Sequence, residues 1–519
     1  METLPGNDKS PLMLDVFGGP LMGQDKWLGG ELDPDSGVIY GIPGSASQVL
    51  SLSPTKVPNA SLVGPHFQGK LKWLRGIHAP ENGCIYGVPA NADGILKISP
   101  PPPAANHHTH LEDANDQSTT PDITTIDGPY PGSLLGKWKW HGAVRVPRNG
   151  CIYGIPCNAT SVLKIEPVSF CAMAAGEKKD QTTNRRERVT LIGCSLDCVA
   201  GDNNNGGSLP SPIDPHSTEE DYGHDNPNRC SWSCSSCLGA PMTPKQMEKP
   251  QKWYGGLLST LDGCIYGIPN SADCVLQINP YLDTVRMVGL NLFPPGGWKW
   301  HGGVVTGEGV VYGVPAHADT VLKIQPRMTS QVAHEIQGFL DPQVSLLGDA
   351  SVIRPGKGRP GGQYKYGGGV YCARTHKVFC IPSDADRVLV VDCGDGDAIR
   401  AIGEEFSQWT HNKWQNGFVS PHDGCIYAIP LNATAVLRID PLSEEVSLVG
   451  TEAVRDLRKP EEVFRPPAHG DVISAEDDEM GAKREVGVLV GRDKWEGGVI
   501  GTDGRLYCMP MRSKSVLVI

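Results

Sequence analysis

The sequence has few of the features that mark nucleic-acid-binding, membrane-spanning or secreted proteins. Its 519 residues carry a net charge of −12, and the 46 Lys and Arg residues are scattered rather than gathered into runs, which argues against a nucleic-acid partner. No apolar stretch reaches about 18 residues, and the N-terminus lacks a basic segment followed by an apolar core. We therefore expect a cytoplasmic protein with no secretory signal and no membrane span.

The 16 cysteines do not form the pattern of a disulfide framework. Four of them precede Ile-Tyr at the same place in a repeated segment: Cys84, Cys151, Cys264 and Cys425. Equivalent places around a ring lie farther apart than the roughly 7 Å between Cα atoms that a disulfide tolerates. We predict that these cysteines are buried free thiols.

A segment of about 29 residues with the pattern K-W-x-G-G, (D/N)-G-x-I-Y-G-I-P and V-L-x-I-(D/N/E)-P dominates the chain. One such segment cannot bury its own apolar face, so neighbouring copies must stack against each other. This periodicity predicts one domain over residues 1–519. The eight copies begin at Lys26, Lys72, Lys139, Lys252, Lys299, Lys365, Lys413 and Lys494.

Each copy predicts four short antiparallel strands. Three come from the motif, as Gly417 to Val419, Cys425 to Ile429 and Val436 to Ile439 illustrate, and a fourth follows where V/S-x-L/M-V/I-G recurs. Four antiparallel strands joined by short turns are the blade of a β-propeller. The sequence therefore predicts an all-β, eight-bladed β-propeller.

The two ends of the chain predict how the ring closes. The last copy ends on its third strand at Val516 to Ile519, and residues 12–18 form a strand-like segment of the missing type. The N-terminal strand can complete the last blade and remove its exposed edge.

The D-G-x-I-Y-G-I-P and V-L-x-I-D-P phrases resemble repeats of the NHL, streptogramin-lyase and gluconolactonase-like propellers. The whole pattern also resembles K-W-x-G-G/Y-G-I-P repeat proteins of microbial eukaryotes. The first resemblance covers part of each blade, and the second covers nearly the whole chain but implies no activity. Enzymes of the first group use single acidic, Asn or His residues at the channel mouth, and no such set can be transferred to positions of this sequence.

Two sets of motif residues are candidates for a site at the channel mouth. The eight lysines that begin the copies would form a ring of positive charge that attracts an anion, or would pack their stems and meet water or carboxylates. His141 and His301 follow K-W and are weak candidates for acid or base catalysis, with simple sequence variation as the alternative.

Three insertions break the period. Residues 194–250 are predicted to be disordered or to form a lid-like cover, and His224, Cys230, Cys234 and Cys237 are a weak candidate zinc site there. Residues 100–131 and 451–484 are predicted to be smaller flexible insertions, the latter acidic.

Two functions follow from these features. Near-identical blades favour a non-catalytic binding or scaffold protein that meets a protein partner through one face and its insertions. The alternative is a metal-assisted hydrolase or lyase acting on a small anionic substrate at the central channel. The sequence identifies no cofactor.

Overall fold

Seven of the eight copies of the repeat, each with the segment that follows it, fold into one four-stranded antiparallel sheet. The computed structural model describes residues 12–55, 58–102, 120–168, 186–193, 250–327, 341–354, 356, 363–450, 452, 454–457 and 489–519. The innermost strands, which line the channel, begin at the Trp of K-W or at Tyr366 in its place. They are β2 (Trp27–Leu32), β6 (Trp73–Ala79), β10 (Trp140–Arg145), β14 (Trp253–Leu258), β18 (Trp300–Val305), β22 (Tyr366–Cys372), β26 (Trp414–Val419) and β31 (Trp495–Ile500).

The second and third strands of each blade carry the Y-G-I-P and V-L-x-I phrases. The second strands are β3 (Ile39–Pro43), β7 (Cys84–Pro89), β11 (Ile152–Pro156), β15 (Ile265–Pro269), β19 (Val311–Pro315), β23 (Lys377–Pro382), β27 (Ile426–Pro430) and β32 (Leu506–Pro510). The third strands are β4 (Val49–Ser53), β8 (Ile95–Ser99), β12 (Val162–Glu166), β16 (Val275–Asn279), β20 (Val321–Gln325), β24 (Val388–Asp392), β28 (Val436–Ile439) and β33 (Val516–Val518).

The outermost strands come from the segments between motifs. They are β5 (Asn59–Val63), β9 (Asp122–Ile126), β13 (Arg188–Ile192), β17 (Thr284–Val288), β21 (Gln343–Leu347), β25 (Ala398–Ile402) and β29 (Val446–Val449) in the first seven blades. The innermost strands of neighbouring blades contact each other around the whole ring, including β31 with β2. The predicted eight-bladed propeller is confirmed.

The N-terminal strand closes the last blade as predicted. Strand β1 (Leu14–Phe17) pairs antiparallel with β33, with Val16 opposite Leu517. On its other side β1 pairs in parallel with a short strand, β30 (Val454–Asp456), so the last blade has five strands. The buried Asp15 carboxylate accepts hydrogen bonds from Arg455 Nε at 2.7 Å and from Arg505 Nη1 at 3.1 Å.

Parts of two predicted flexible insertions are strands. Asp122–Ile126 lies within residues 100–131 and forms β9, and Val454–Asp456 lies within residues 451–484 and forms β30. Both segments satisfy their backbone groups by pairing with the edge of a blade. The insertion at 194–250 lies, apart from residue 250, outside the described residues.

The core consists of eight apolar clusters, one between each pair of neighbouring blades. The Trp that begins an innermost strand fills each junction, and its indole N–H donates to a carbonyl before the third strand of its own blade, as Trp414 does to Ala435 at 2.7 Å. Tyr366 takes this place in the sixth blade. Cys84, Cys151, Cys264 and Cys425 are buried free thiols, as predicted.

A polar latch joins neighbouring blades at the end of the channel opposite the lysines. The Tyr153 hydroxyl and the Lys164 ammonium of the third blade both meet the Asp283 carboxylate of the fourth, at 3.1 and 2.7 Å. In the same way, Tyr312 and Lys323 of the fifth blade donate hydrogen bonds to the Asp397 carboxylate of the sixth. These bonds link the turn between the third and fourth strands of one blade to its neighbour.

Candidate functional site

The eight motif lysines lie inside the protein, with relative exposures of 0–4 %. Their backbones lead into the innermost strands, at the end of the channel that we call the lysine end. The Lys72 ammonium donates to the carbonyls of Gly44 and Ala46 in the preceding blade, at 2.9 and 2.8 Å, and to Gly69 at 3.1 Å. These three acceptors match the three donors of a charged ammonium.

A glycine three residues before the lysine accompanies this geometry. Gly69 has a φ of 97°, which an L residue rarely adopts, and the turn brings its carbonyl back to the lysine of its own copy. The same bond is made in five copies, by Lys26 with Gly23, Lys72 with Gly69, Lys139 with Gly136, Lys299 with Gly296 and Lys494 with Gly491. Lys413 has Thr410 at that place, and among the described residues its ammonium has no hydrogen-bond partner.

Burial lowers the pKa of Lys26 and Lys494 to about 7 and that of Lys72, Lys139, Lys252 and Lys413 to about 8. Enclosure by backbone carbonyls favours the packing role that the sequence left open. Anion binding by the lysine ring stays a prediction.

The side chains that differ between blades meet in the channel beside this ring. The position after the motif Trp holds Leu, His, Tyr, Gly, Gln or Glu, and at His141, Tyr254 and His301 the side chains contact each other across neighbouring blades. The eight residues at this position are Leu28, Leu74, His141, Tyr254, His301, Gly367, Gln415 and Glu496.

His141 and His301 both contact Tyr254, which lies between them in the fourth blade. The His141 and Tyr254 rings stack with centroids 3.4 Å apart, and the Tyr254 and His301 centroids are 4.5 Å apart. Burial lowers the pKa of His141 well below its ordinary value and that of His301 to about 4. Both rings are therefore neutral at pH 7.

Three further aromatic rings continue this group, and we call the six rings the aromatic arc. The Trp138 and His141 rings are nearly parallel, with an interplanar angle of 13° and centroids 6.3 Å apart. The centroid of the Trp298 ring lies 5.5 Å from that of Tyr254 and 5.4 Å from that of Tyr364. The arc therefore runs along one side of the channel over the third to sixth blades. Its members are Trp138, His141, Tyr254, Trp298, His301 and Tyr364.

The residue before each motif lysine has a left-handed backbone. Its φ lies between 48° and 55° in all eight copies. A side chain or carbonyl of the neighbouring blade secures this turn, as when Asn91 Oδ1 accepts from the Trp138 N–H at 2.7 Å. The eight residues are Asp25, Leu71, Trp138, Gln251, Trp298, Tyr364, Asn412 and Asp493.

Arg75 brings a charge into the channel. It occupies the second position after the Trp, where six other copies have Gly and the seventh has Asn416. Its side chain is exposed, and it makes no hydrogen bond or ion pair with another residue of the described part of the chain. A methyl group on Gly29 would come within 2.9 Å of Arg75 Cγ, so this glycine gives the arginine stem room to cross the first blade.

The charge of Arg75 acts on four side chains from four other blades. It lowers the pKa of His141, His301, Tyr254 and Glu496. Burial has the larger effect on Glu496 and raises its pKa to about 7, with smaller increases from Asp25 and Asp493. The charge of Arg75 thus acts on the Glu496 carboxyl group and on the neutral imidazoles of His141 and His301.

The predicted metal site cannot be placed, because His224, Cys230, Cys234 and Cys237 lie outside the described residues. Within the residues that are described, no group of three or more His, Cys, Asp or Glu side chains could hold a metal ion. No helix in that part of the chain has the length and apolarity needed to cross a membrane.

Sequence reasoning singled out His141 and His301 but missed Arg75, Tyr254 and Glu496. The repeat explains both results, because the pattern directs attention to what recurs, whereas a site needs groups that differ. The available signal was a departure from the motif just after the Trp: an arginine in a glycine slot, and a glutamate where the other copies have Leu, His, Tyr, Gly or Gln.

No protein-family model matches the chain, and no curated protein matches it. Solved structures of similar fold include Sqt1 from Chaetomium thermophilum bound to the N-terminus of ribosomal protein L10, with 10% identity over 98% of this chain and 96% of that chain and a TM-score of 0.46. A streptogramin B lyase matches with 10% identity over 97% and 96% and a TM-score of 0.41. A virginiamycin B lyase from Staphylococcus aureus matches with 9% identity over 84% and 98% and a TM-score of 0.39.

These likenesses concern the fold alone. They identify no site residue.

Proposed function

We propose that this propeller binds a small anionic ligand at the lysine end of its channel, with Arg75 as the main contact. The observation that carries the proposal is the exposed guanidinium of Arg75, which has no ion-pair partner among the described residues. An arginine in this state offers a fork of donors that suits a carboxylate or a phosphate.

The surroundings of Arg75 support an anion rather than a cation. His141 and His301 are neutral at pH 7 because their pKa values are low, so each can donate one ring N–H without adding charge. Burial raises the pKa of Glu496 to about 7, so at neutral pH this carboxyl group holds a proton far more often than an ordinary glutamate does. Its protonated form can donate a hydrogen bond to the ligand instead of repelling it.

The test is calorimetric titration of the full chain with inorganic phosphate at low ionic strength. We expect Arg75→Gln to weaken binding at least tenfold, because it removes a charge-assisted bond and keeps a polar side chain. Arg188→Gln is the matched control, since Arg188 is 72 % exposed on outermost strand β13. Equal affinity of wild type and Arg75→Gln would refute the proposal.

Docking of a protein partner through one face and the insertion at 194–250 stays a prediction. A pull-down with the full chain and with a variant lacking 194–250 tests it independently of the channel. A partner retained by both would place docking on the blades or the remaining loops.

Proton transfer on the bound ligand is a second candidate function, favoured by the pKa of Glu496. A carboxyl group with a pKa of about 7 is well matched to act as general acid or base at neutral pH. Glu496 would exchange the proton, Arg75 would hold the negative charge that develops, and the neutral imidazoles of His141 and His301 would orient the ligand.

Turnover of ester or lactone probes tests the second function. We expect Glu496→Gln to lower turnover at least a hundredfold while binding of inorganic phosphate persists. Turnover that Glu496→Gln leaves unchanged would remove Glu496 from the reaction, whether or not Arg75 binds anions.

A further inference from the structure

Three large aromatic residues occupy a backbone position that disfavours them. Trp138, Trp298 and Tyr364 have φ values of 51°, 55° and 53°. Bulky L residues are strained in the left-handed region, whereas Asn and Asp tolerate it because their short polar side chains bond locally. Other blades use Asp25 and Asn412 at the same position with the same backbone.

These three rings are not packing elements of the blade junctions. The motif Trp residues that fill the junctions are 0–2 % exposed, whereas Trp138, Trp298 and Tyr364 are partly exposed. Strained residues that are retained without a packing role concentrate at ligand sites.

Two of the three rings lie close to parallel with a histidine of the arc. Trp138 is within 13° of parallel to His141, and Trp298 is within 27° of parallel to His301. Offset stacking of flat rings needs such faces. The charge of Arg75 acts on His141, Tyr254 and His301, whose rings contact one another, so an acidic group attached to a ring held by the arc would be attracted to it.

We infer that the aromatic arc binds the flat ring of an aromatic anion, whose phosphate or carboxylate lies against Arg75. The inference rests on the proposed anion site and adds the class of ligand. At Trp138, Trp298 and Tyr364 the left-handed position carries a ring that offers a face for stacking, whereas Leu71 and Gln251 have the same backbone without a ring.

The first arm of the test is stability. Trp298→Asn places at this position the residue type found at Asn412, so we expect the variant to unfold at the same or a higher temperature than wild type. Gln251→Asn is the matched control, because Gln251 has the same backbone, with φ 54°, and no ring. A melting temperature that falls in Trp298→Asn but not in Gln251→Asn would show that the ring is needed for packing and would overturn the inference.

The second arm is binding of phenyl phosphate and of inorganic phosphate by calorimetry. We expect Trp298→Asn and Trp138→Asn each to weaken phenyl phosphate about tenfold and to leave inorganic phosphate unchanged. Gln251→Asn should bind both as wild type does, and Arg75→Gln should weaken both.

The outcomes separate the two claims. If the arc variants bind phenyl phosphate as wild type does, or if wild type binds it no better than inorganic phosphate, the inference is overturned while an Arg75-dependent anion site stands. Preference for glucuronate over phenyl phosphate would also overturn it, because a sugar and not an aromatic ring would be the favoured ligand. If Arg75→Gln weakens neither probe, the anion site itself fails.

Discussion

The lysine that begins each repeat is buried, and in six of the eight copies its ammonium donates to backbone carbonyls. The ammonium groups of Lys252 and Lys413 have no hydrogen-bond partner in the described structure. Lys72 meets three carbonyls, two from the preceding blade and one from its own turn. Lysine suits this place because a compact ammonium donates three hydrogen bonds from the tip of a flexible stem, whereas the guanidinium of Arg spreads its donors over a rigid, planar fork.

Replacing the motif lysine should lower the free energy of unfolding more in some blades than in others. Lys72→Met removes the ammonium donor from three carbonyls, of which Gly44 keeps the Lys72 backbone N–H at 3.0 Å, so we expect a loss of about 1 to 3 kcal/mol in the free energy of unfolding. Lys413→Met removes an ammonium that has no hydrogen-bond partner in the described structure, and its loss should not exceed about 1 kcal/mol. Urea denaturation of both variants checks this, and equal losses would contradict the role of the carbonyls.

Glu31 is a carboxyl group at a position where the other blades have Ile, Val, Leu or Phe. Burial raises its pKa from the usual 4.5 to about 7, opposed by a hydrogen bond from the His78 N–H. Between about pH 4.5 and pH 7, Glu31 is therefore protonated in the folded protein and ionised in the unfolded chain. The resulting stabilisation is present in full below about pH 4.5 and is lost as the pH rises through about 7.

Glu31→Gln should remove this dependence on pH. Glutamine keeps the shape of the protonated acid, so the variant should match wild type near pH 4.5 and exceed it at pH 8 by about 2 kcal/mol. Chemical denaturation at the two pH values measures the difference. A variant that is less stable than wild type at pH 8 would mean that the ionised carboxylate has a partner that supports the fold.

At the scale of single elements, the polar latches between blades stabilise the turn between the third and fourth strands. Asp283 ties the turn after the third strand of the fourth blade to Tyr153 and Lys164 of the third blade. The left-handed backbone at Asp283, with φ 52°, suits Asp and Asn but few other residues.

Asp283→Asn keeps the backbone and removes the charge, so we expect it to lower the free energy of unfolding by about 1 kcal/mol. Asp341→Asn is the control, because the Asp341 carboxylate is 81 % exposed in its ion pair with Arg286. Thermal unfolding of both variants measures the two losses. If Asp341→Asn lowers the free energy of unfolding as much as Asp283→Asn does, the latch has no special role in stability.

The strands were predictable from sequence to different degrees. The first three strands of each blade follow from phrases that recur, and six outermost strands follow from V/S-x-L/M-V/I-G. Strand β9 (Asp122–Ile126) was missed, because D-I-T-T-I lacks that phrase and follows a proline-rich stretch. Only its register against β8, with Ile123 opposite Ile98, identifies it as the outermost strand of the second blade.

The number of blades and the closure of the ring were predictable, whereas the site was only partly so. Blade count is a property of repetition, and closure follows from a third strand that has no partner at the end of the last copy. The site depends on Arg75, Tyr254 and Glu496, whose side chains come from three blades. Their meeting requires the ring geometry and not a motif.

Removal of the closing strand should affect the whole molecule. A chain lacking residues 1–18 exposes the edge of β33 and leaves Arg455 and Arg505 without Asp15. We expect such a chain to associate through this edge and to lose cooperative unfolding. Removal of residues 1–11 alone is the control and should leave a monodisperse protein in light scattering. A truncated 1–18 variant that behaves like this control would show that the ring holds without β1.

Because β1 pairs with β33, the last blade cannot be completed until β33 has been synthesised. About 500 residues separate the two strands in the chain, which at about 5 to 20 residues per second takes about 25 to 100 s to translate. Throughout that interval Leu14, Val16 and Phe17 have no partner strand, although all three are fully buried in the finished ring. The first blades can form on the ribosome, but the strand made first is among the last to be placed, and its protection until then depends on chaperones or on transient pairing with β5 or another blade edge.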